Sequence, residues 1–216
     1  MKKFIPLPRK FYEPSAEVVA SQLLGHYLIR NTPHGPCGGA IVETEAYLTD
    51  DPAAHSFVGL TSRNRVMWDA AGYSYVYFIY GNHFCFNAVC RPKGIAEAVL
   101  VRAVEPLAGL DIMRAHRPVA NLRDLTNGPG KLCAAMDIDL NLNGADLCDE
   151  KSPLFIAENP ALKYFLKDHG PVVTTTRIGI TRAAALPLRF YLESSLFVSR
   201  RVRSTRASKA IHVVSN

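Results

Sequence analysis

The chain contains no Cys-x-x-Cys pair. Its five cysteines (Cys37, Cys85, Cys90, Cys133 and Cys148) are odd in number, and their spacing matches no zinc site. A disulfide framework is therefore not expected, and the five read as reduced, mostly buried thiols of an intracellular protein. No apolar run is long enough to cross a bilayer. The start is basic, Met1-Lys2-Lys3-Phe4, but Pro6 and Pro8 interrupt any apolar signal region. No membrane partner is expected. Neither an internal repeat nor a low-complexity linker divides the chain. Its 216 residues read as a single domain, 1–216, with a basic C-terminal tail from about residue 200.

Apolar residues make up 48% of the chain, ample for a core. The net charge of +6 and the pI of about 9.1 favour an acidic partner such as nucleic acid. Arg200, Arg201, Arg203, Arg206 and Lys209 crowd the tail, which reads equally as a solvated segment.

Periodicity predicts a helix over 15–24, with Ser15 as cap and Val18, Val19, Leu23 and Leu24 as the apolar stripe. Strands are expected over 27–31 and 39–48, joined by a turn over 32–38 that contains Pro33, Gly35 and Pro36. A long loop over 49–72 carries Arg63-Asn64-Arg65, and loops of that length are often functional. Residues 73–80 and 83–90 form a β-hairpin signal around Gly81-Asn82. Further strands are expected over 98–104, 153–157, 174–181 and 188–192, and helices over 106–115 and 132–136. Hairpins outnumber strand–helix–strand units. The fold class is therefore α+β, with a largely antiparallel sheet, peripheral helices and a protruding hairpin.

The stretch Val42-Glu43-Thr44-Glu45-Ala46-Tyr47 stands out. Strand side chains alternate, so Glu43, Glu45 and Tyr47 share one face. Carboxylates in such a strand need a partner or a task. Two positions of strand rise separate Glu43 from Glu45 by about 6.5–7 Å, a spacing that inverting glycoside hydrolases use (about 6.5–9.5 Å). Those pairs usually come from different strands, however, so Glu43 reads as a structural acid paired with an arginine. Glu45, His55 and His83 match no metal-binding spacing, and neither metal nor organic cofactor is expected. Asn127-Gly128-Pro129-Gly130-Lys131 is not a phosphate loop, since Leu125 and Leu132 stand where the first Gly and the Ser/Thr belong. It reads as a turn whose amides or Lys131 touch a DNA phosphate. Tyr80 falls at the hairpin tip, either as a packed aromatic or as a wedge that unstacks bases.

Several blocks in order carry a family resemblance over almost the whole chain. They are residues 41–48 (IVETEAYL), 53–56 (AAHS), Arg63-Asn64-Arg65, 75–81 with Asn87, 101–106 (VRAVEP) and 128–133 (GPGKLC). The chain resembles the alkyladenine (3-methyladenine) DNA glycosylases of base-excision repair. That resemblance implies a monomer acting on double-stranded DNA that contains damaged purines. It matches Glu45 to the base that activates water, and Arg102 to the residue that holds Glu45 and that water. Tyr47, His55 and Tyr77 match the walls around a flipped base, Asn87 the residue that excludes the 2-amino group of guanine, and Tyr80 the intercalating wedge. Arg63 and Arg65 are added as DNA contacts from their charge.

Elementary chemistry agrees with these roles. A base cannot be cut from its sugar inside the stack, so the nucleotide must rotate out. Alkylated purines carry positive charge, and desolvated tyrosine faces attract cations by about 0.5–2 kcal/mol each. Such a base leaves readily, so the main need is a carboxylate beside the water and the developing oxocarbenium ion. A nearby arginine favours that charged form. Lys131 raises the question of an amine nucleophile, but the resemblance implies a monofunctional enzyme that uses water. The competing reading is a non-catalytic binder of damaged DNA on the same scaffold. Sharing a pocket between Tyr77 and Asn87 predicts a three-residue loop, Gly81-Asn82-His83, that pairs those two residues, or else a bulge in the hairpin.

Overall fold

In the computed structural model, which describes residues 3–201, the alternating stretch around Glu43 becomes β2 (Gly35–Tyr47), 13 residues long. Ile41, Val42 and Thr44 are β-branched and suit a pleated, packed surface. One edge of β2 pairs with β5 (Glu97–Ala108). Its other edge pairs first with β1 (Tyr27–Thr32) and then with β8 (Arg189–Leu192). The sheet continues outward through β4 (His83–Cys90) and β3 (Ser74–Ile79) on one side and β6 (Leu154–Ala157) on the other, while β7 (Val172–Thr175) pairs β8. Every pairing is antiparallel. Among the described residues four helices accompany the sheet, and the expected α+β class holds.

Both faces of β2 are buried, for different reasons. Val42, Thr44 and Ala46 face α1 (Ala16–Gln22), where Thr44 Oγ1 donates to the Ala20 carbonyl at 2.8 Å. Val19 and Leu23 are fully buried on that side, each contributing about 1.5–3 kcal/mol. Ser15 makes no side-chain cap. Instead Glu97 Oε2 accepts from the Ala16 amide at 2.8 Å, placing an anion at the positive end of the helix. The opposite face of β2 carries Glu43, Glu45 and Tyr47. There the β2–β5 ladder is irregular: Glu43 opposes Ala103 and Thr44 opposes Val101, leaving Arg102 without a Cα partner between the two glutamates. Such irregularities re-aim side chains beside functional sites.

Several boundaries differ from expectation. The turn before β2 is two residues, since the ladder already pairs Thr32 with Gly35. The helix expected over 106–115 starts later, because Pro106 and Ala108 still pair with Gly39 and Gly38. Gly109, at φ 64, then turns the chain into α2 (Leu110–His116). Pro129, pre-set for a first helical turn, starts α3 (Pro129–Ala135) earlier than residue 132. The strand expected over 174–181 ends at Thr175. An unanticipated helix, α4 (Leu162–His169), has no fully buried residue, but its Leu162, Phe165 and Leu166 form one apolar face, the latter two packed against the core. The loop over 49–72 contains 3₁₀ turns at His55–Val58 and Arg65–Trp68.

The hairpin loop has three residues, but they are Tyr80, Gly81 and Asn82. Ile79 opposes His83, Tyr77 opposes Cys85 and Tyr75 opposes Asn87. The expected Tyr77–Asn87 pairing is therefore displaced. Tyr80 (φ 56) and Gly81 (φ 75) both take the left-handed conformation, turning the chain one residue early. Residues in register share a face, so Tyr75, Tyr77, Cys85 and Asn87 still point to one side. Of the tail cations, Arg203, Arg206 and Lys209 lie outside the described residues. No helix among the described residues is long and apolar enough to cross a membrane.

Candidate active site

The face shared by Tyr77 and Asn87 meets the Glu45 face of β2 across β5, and a cavity of about 260 Å³ opens between them. This is slightly below the ~300–1,000 Å³ of drug-sized sites and suits a single ring system. Tyr47, His55, Tyr77, Asn87, Arg102 and the hairpin-tip Tyr80 all line it. Its far wall is Ile178-Gly179-Ile180, from the segment that leaves β7.

Glu45 is fully buried and lies behind this lining. Its Oε1 accepts from the Ile178 amide at 2.8 Å and pairs with Arg102 Nη1 at 3.1 Å. Its Oε2 accepts from the Tyr47 hydroxyl at 3.0 Å. Arg102 in turn donates through Nε to Glu43 Oε1 at 2.9 Å. Burial lowers the Arg102 guanidinium, but Glu45 and then Glu43 raise it, and the balance lies above its ordinary value. Glu43, also fully buried, accepts from Arg189 Nε at 2.7 Å, from Ser199 Oγ at 2.8 Å and from the Ser199 amide at 2.6 Å. It is a structural acid held by two arginines. The Tyr47 hydroxyl is pushed up by burial and by Glu45, so it stays protonated and donates.

The aromatic walls are fixed from outside. Arg177 places its guanidinium 4.6 Å from the Tyr47 ring centroid while it ion-pairs with Asp51 and donates to the Ala46 carbonyl at 3.0 Å. The His55 ring lies 4.5 Å from Tyr77, and its Nδ1 is 2.9 Å from the Tyr75 hydroxyl. Burial, then Arg63, lowers His55 and favours neutral imidazole. Burial pushes Tyr75 up to about 12 and raises Tyr77 as well. Asn87 is buried and donates through Nδ2 to the Tyr75 carbonyl at 3.1 Å.

The candidate DNA contacts divide. Tyr80 is 77% exposed at the cavity rim. Arg63 is exposed, donates to the Phe78 carbonyl at 3.1 Å and sits 5.6 Å from the Tyr77 ring centroid. Arg65 is exposed and does not line the cavity. Lys131 is also absent from the lining, because its Nζ is held by Asn127 at 2.8 Å and by Asp124 at 3.5 Å. Sequence reasoning missed Arg177 and Ile178. Gly179, at φ 76, was the available sign that the supposed strand breaks there. It also missed the individual role of Asn64, which is buried and ties the loop to His55 through a 2.9 Å bond to its carbonyl. Among the described residues, no group of three or more His, Cys, Asp or Glu side chains is arranged to hold a metal ion.

Comparison with known proteins places this geometry in a family. Residues 10–196 match the model of the methylpurine-DNA glycosylases. Three curated relatives carry the name "Putative 3-methyladenine DNA glycosylase". The protein of Methanoculleus marisnigri is 51% identical over 195 residues, 90% of this chain and 99% of its own. That of Francisella tularensis is 45% identical over 182 residues, 84% of this chain and 92% of its own. That of Carboxydothermus hydrogenoformans is 45% identical over 195 residues, 90% of this chain and 99% of its own. A match this extensive, over the segments that build the cavity, means that the chain belongs to the methylpurine-DNA glycosylase family of DNA-repair enzymes.

Proposed function

We propose that this protein excises alkylated or deaminated purines from duplex DNA by hydrolysing the N-glycosidic bond, with Glu45 as the base that activates water. One observation carries the reading: a buried carboxylate held by Arg102, Tyr47 and the Ile178 amide lies directly behind an aromatic cavity of single-base size. The exposed Tyr80 stands at the rim, where a wedge would fill the gap left by a flipped nucleotide.

The flipped base enters between Tyr47 on one side and Tyr77 with His55 on the other. Neutral His55 does not repel a cationic purine, and the tyrosine faces attract it. Asn87, pinned to the Tyr75 carbonyl, excludes the 2-amino group of guanine. Three donors occupy three of the roughly four acceptor positions of the Glu45 carboxylate, leaving one on Oε2 for a water. The water oxygen attacks C1′ and its proton passes to Glu45. The C1′–N bond breaks and the base leaves with the electron pair. A cationic 3-methyladenine leaves neutral, whereas hypoxanthine needs a proton delivered through water. Water as nucleophile is supported by the cavity lining, which among the described residues contains no lysine. The same walls suit ethenoadenine, which lacks a 2-amino group; 7-methylguanine keeps that group, so its excision must overcome the clash at Asn87 through its cationic ring and ready departure.

The burial of Glu45 beneath three donors is the observation that favours the alternative, a non-catalytic binder. Single-turnover base release from a hypoxanthine duplex and from methylated DNA separates the two. Wild type should release base without strand cleavage until alkali is added. Glu45→Gln should lose about 10²–10⁴ in rate while still binding the lesion. Release by both proteins at equal rates refutes Glu45 as base, and strand cleavage without alkali implicates an amine.

A further inference from the structure

Residues 195–201, which follow β8, close the buried charge cluster from a distant part of the chain. Ser195 and Val198 are each 1% exposed, and Phe197 packs against the core. Two bonds hold the backbone on either side of Ser199: Arg189 Nη2 donates to the Arg200 carbonyl, and Arg201 Nη2 donates to the Ser195 carbonyl. The segment is therefore a fixed strap. It carries Ser199 to Glu43, 156 residues earlier in the sequence.

Ser199 does more there than complete the shell of Glu43. Its Oγ donates to Glu43 Oε1 at 2.8 Å and accepts from Arg102 Nη2 at 3.4 Å. The three guanidinium nitrogens of Arg102 are thus divided among three partners: Nε to Glu43 at 2.9 Å, Nη1 to Glu45 at 3.1 Å and Nη2 to Ser199. A guanidinium is a rigid planar fork. Glu43 and Glu45 fix two of its nitrogens and leave the plane free to tilt about the line that joins them. Ser199 fixes the third. A hydroxyl has one hydrogen, here committed to Glu43, so its oxygen meets Arg102 with lone pairs only. A plane held at three points keeps Nη1 on Glu45 Oε1, and Oε2, bonded by the Tyr47 hydroxyl, keeps its free acceptor position for water.

We propose that Ser199 is a positioning residue for base release: through Arg102 it sets the plane that holds the Glu45 carboxylate toward the attacking water. The inference rests on the reading of Glu45 as the base. Ser199 does not line the base cavity, so its effect falls on the chemical step and not on capture of the lesion.

The test pairs single-turnover base release from a hypoxanthine duplex, with protein in excess, with duplex affinity read by fluorescence anisotropy. Ser199→Ala should slow release about three- to tenfold, the scale of one neutral hydrogen bond, with affinity equal to that of wild type. Ser199→Thr, which returns the hydroxyl, should restore the rate. The decisive arm combines Ser199→Ala with Arg102→Lys. A lysine has no second nitrogen for Ser199, so in that background loss of the hydroxyl should slow release no further. Should the alanine variant not fold, Ser199→Cys, which keeps the size and only a weak donor, carries the same comparison. A hydroxyl that merely pins the strap would lower the urea midpoint and leave the rate of the folded protein at the wild-type value. That result overturns the proposal, as does an equal slowing in both backgrounds. Failure of the parent reading is distinct: wild type would then release no base, or Glu45→Gln would release it at the wild-type rate.

Discussion

Replacing Glu43 by Gln should destabilise the fold by about 3–5 kcal/mol, the usual cost of breaking a buried ion pair on one side. The structure shows why the cost is at the full scale. Glu43 Oε1 accepts from Arg102 Nε, Arg189 Nε and Ser199 Oγ, and Oε2 accepts from the Ser199 amide at 2.6 Å. A glutamine can keep its oxygen toward the first three. Its amide nitrogen then faces another donor, the Ser199 N–H, and that bond is lost. The two arginine bonds lose their charge assistance, worth about 1.5–3 kcal/mol against about 1 for a neutral bond. Both guanidinium groups stay buried, with Arg102 6% and Arg189 2% exposed, so water cannot replace the missing charge. Urea denaturation reads this directly, as a lower midpoint with an unchanged m-value. Against a typical total stability of about 5–15 kcal/mol the variant should still fold. Base release should slow as well, since the partner that aims Arg102 Nη1 at Glu45 holds Nε less strongly once it is neutral. A loss below about 1 kcal/mol would refute the account of Glu43 as the hub of this cluster.

Two further expectations follow from exposure and from burial. Tyr80→Ala should leave stability unchanged, because the side chain is 77% exposed, yet weaken lesion-duplex binding by about 1–3 kcal/mol, the scale of aromatic–base stacking. A 2-aminopurine placed beside the lesion should lose its flipping-linked fluorescence change, and an unaltered signal would rule out the wedge. Acid should destabilise the protein through His26 and His55, both lowered from the ordinary 6.5, first by burial. Below about pH 6.5 the unfolded chain binds protons that the folded histidines refuse, so stability is complete above that pH and lost as pH falls toward their lowered values. Urea midpoints between pH 7.5 and 5 should show this fall, and His26→Gln should flatten it. An unchanged profile in that variant would refute the contribution of His26.

How much of this was legible depended on whether one local rule was left alone. Alternation exposed the shared face of Glu43, Glu45 and Tyr47, because nothing competes with period two inside a strand buried on both sides. Gly81-Asn82 located the hairpin. Its register slipped because Tyr80 adopts φ 56, a conformation that tyrosine rarely takes and propensity does not anticipate. The resemblance, not periodicity, singled out His55, Asn87 and Arg102, which come from three separate segments that only the tertiary fold brings together. Residues 176–188 were unreadable for a different reason. The β-rich run Val172-Val173-Thr174-Thr175 continues in composition, but Arg177 turns inward to reach Asp51 and Tyr47. A long-range pairing of that kind overrides strand propensity and leaves only Gly179 as a local trace.

The buried charges of the site have a consequence for selectivity. Glu43 and Glu45 are balanced by Arg102 and Arg189, and Asp51 by Arg177, while burial keeps His55 neutral. Within this buried set the formal charges cancel, and Arg63 adds an exposed cation 5.6 Å from the Tyr77 ring centroid. A cavity with net negative charge would draw in any cation and raise the cost of desolvating the DNA backbone. On the proposed reading, attraction for a cationic purine falls to the faces of Tyr47 and Tyr77, which act at short range and only on a flat ring between them. Arg177 already occupies the outer face of Tyr47, 4.6 Å from its centroid, so the pull of that ring on a second cation is blunted. On the proposed reading, discrimination rests less on charge than on shape at Asn87 and on how readily the damaged base leaves. A neutral lesion that fits the cavity then remains a substrate, with its excision limited by the proton it must acquire rather than by its binding.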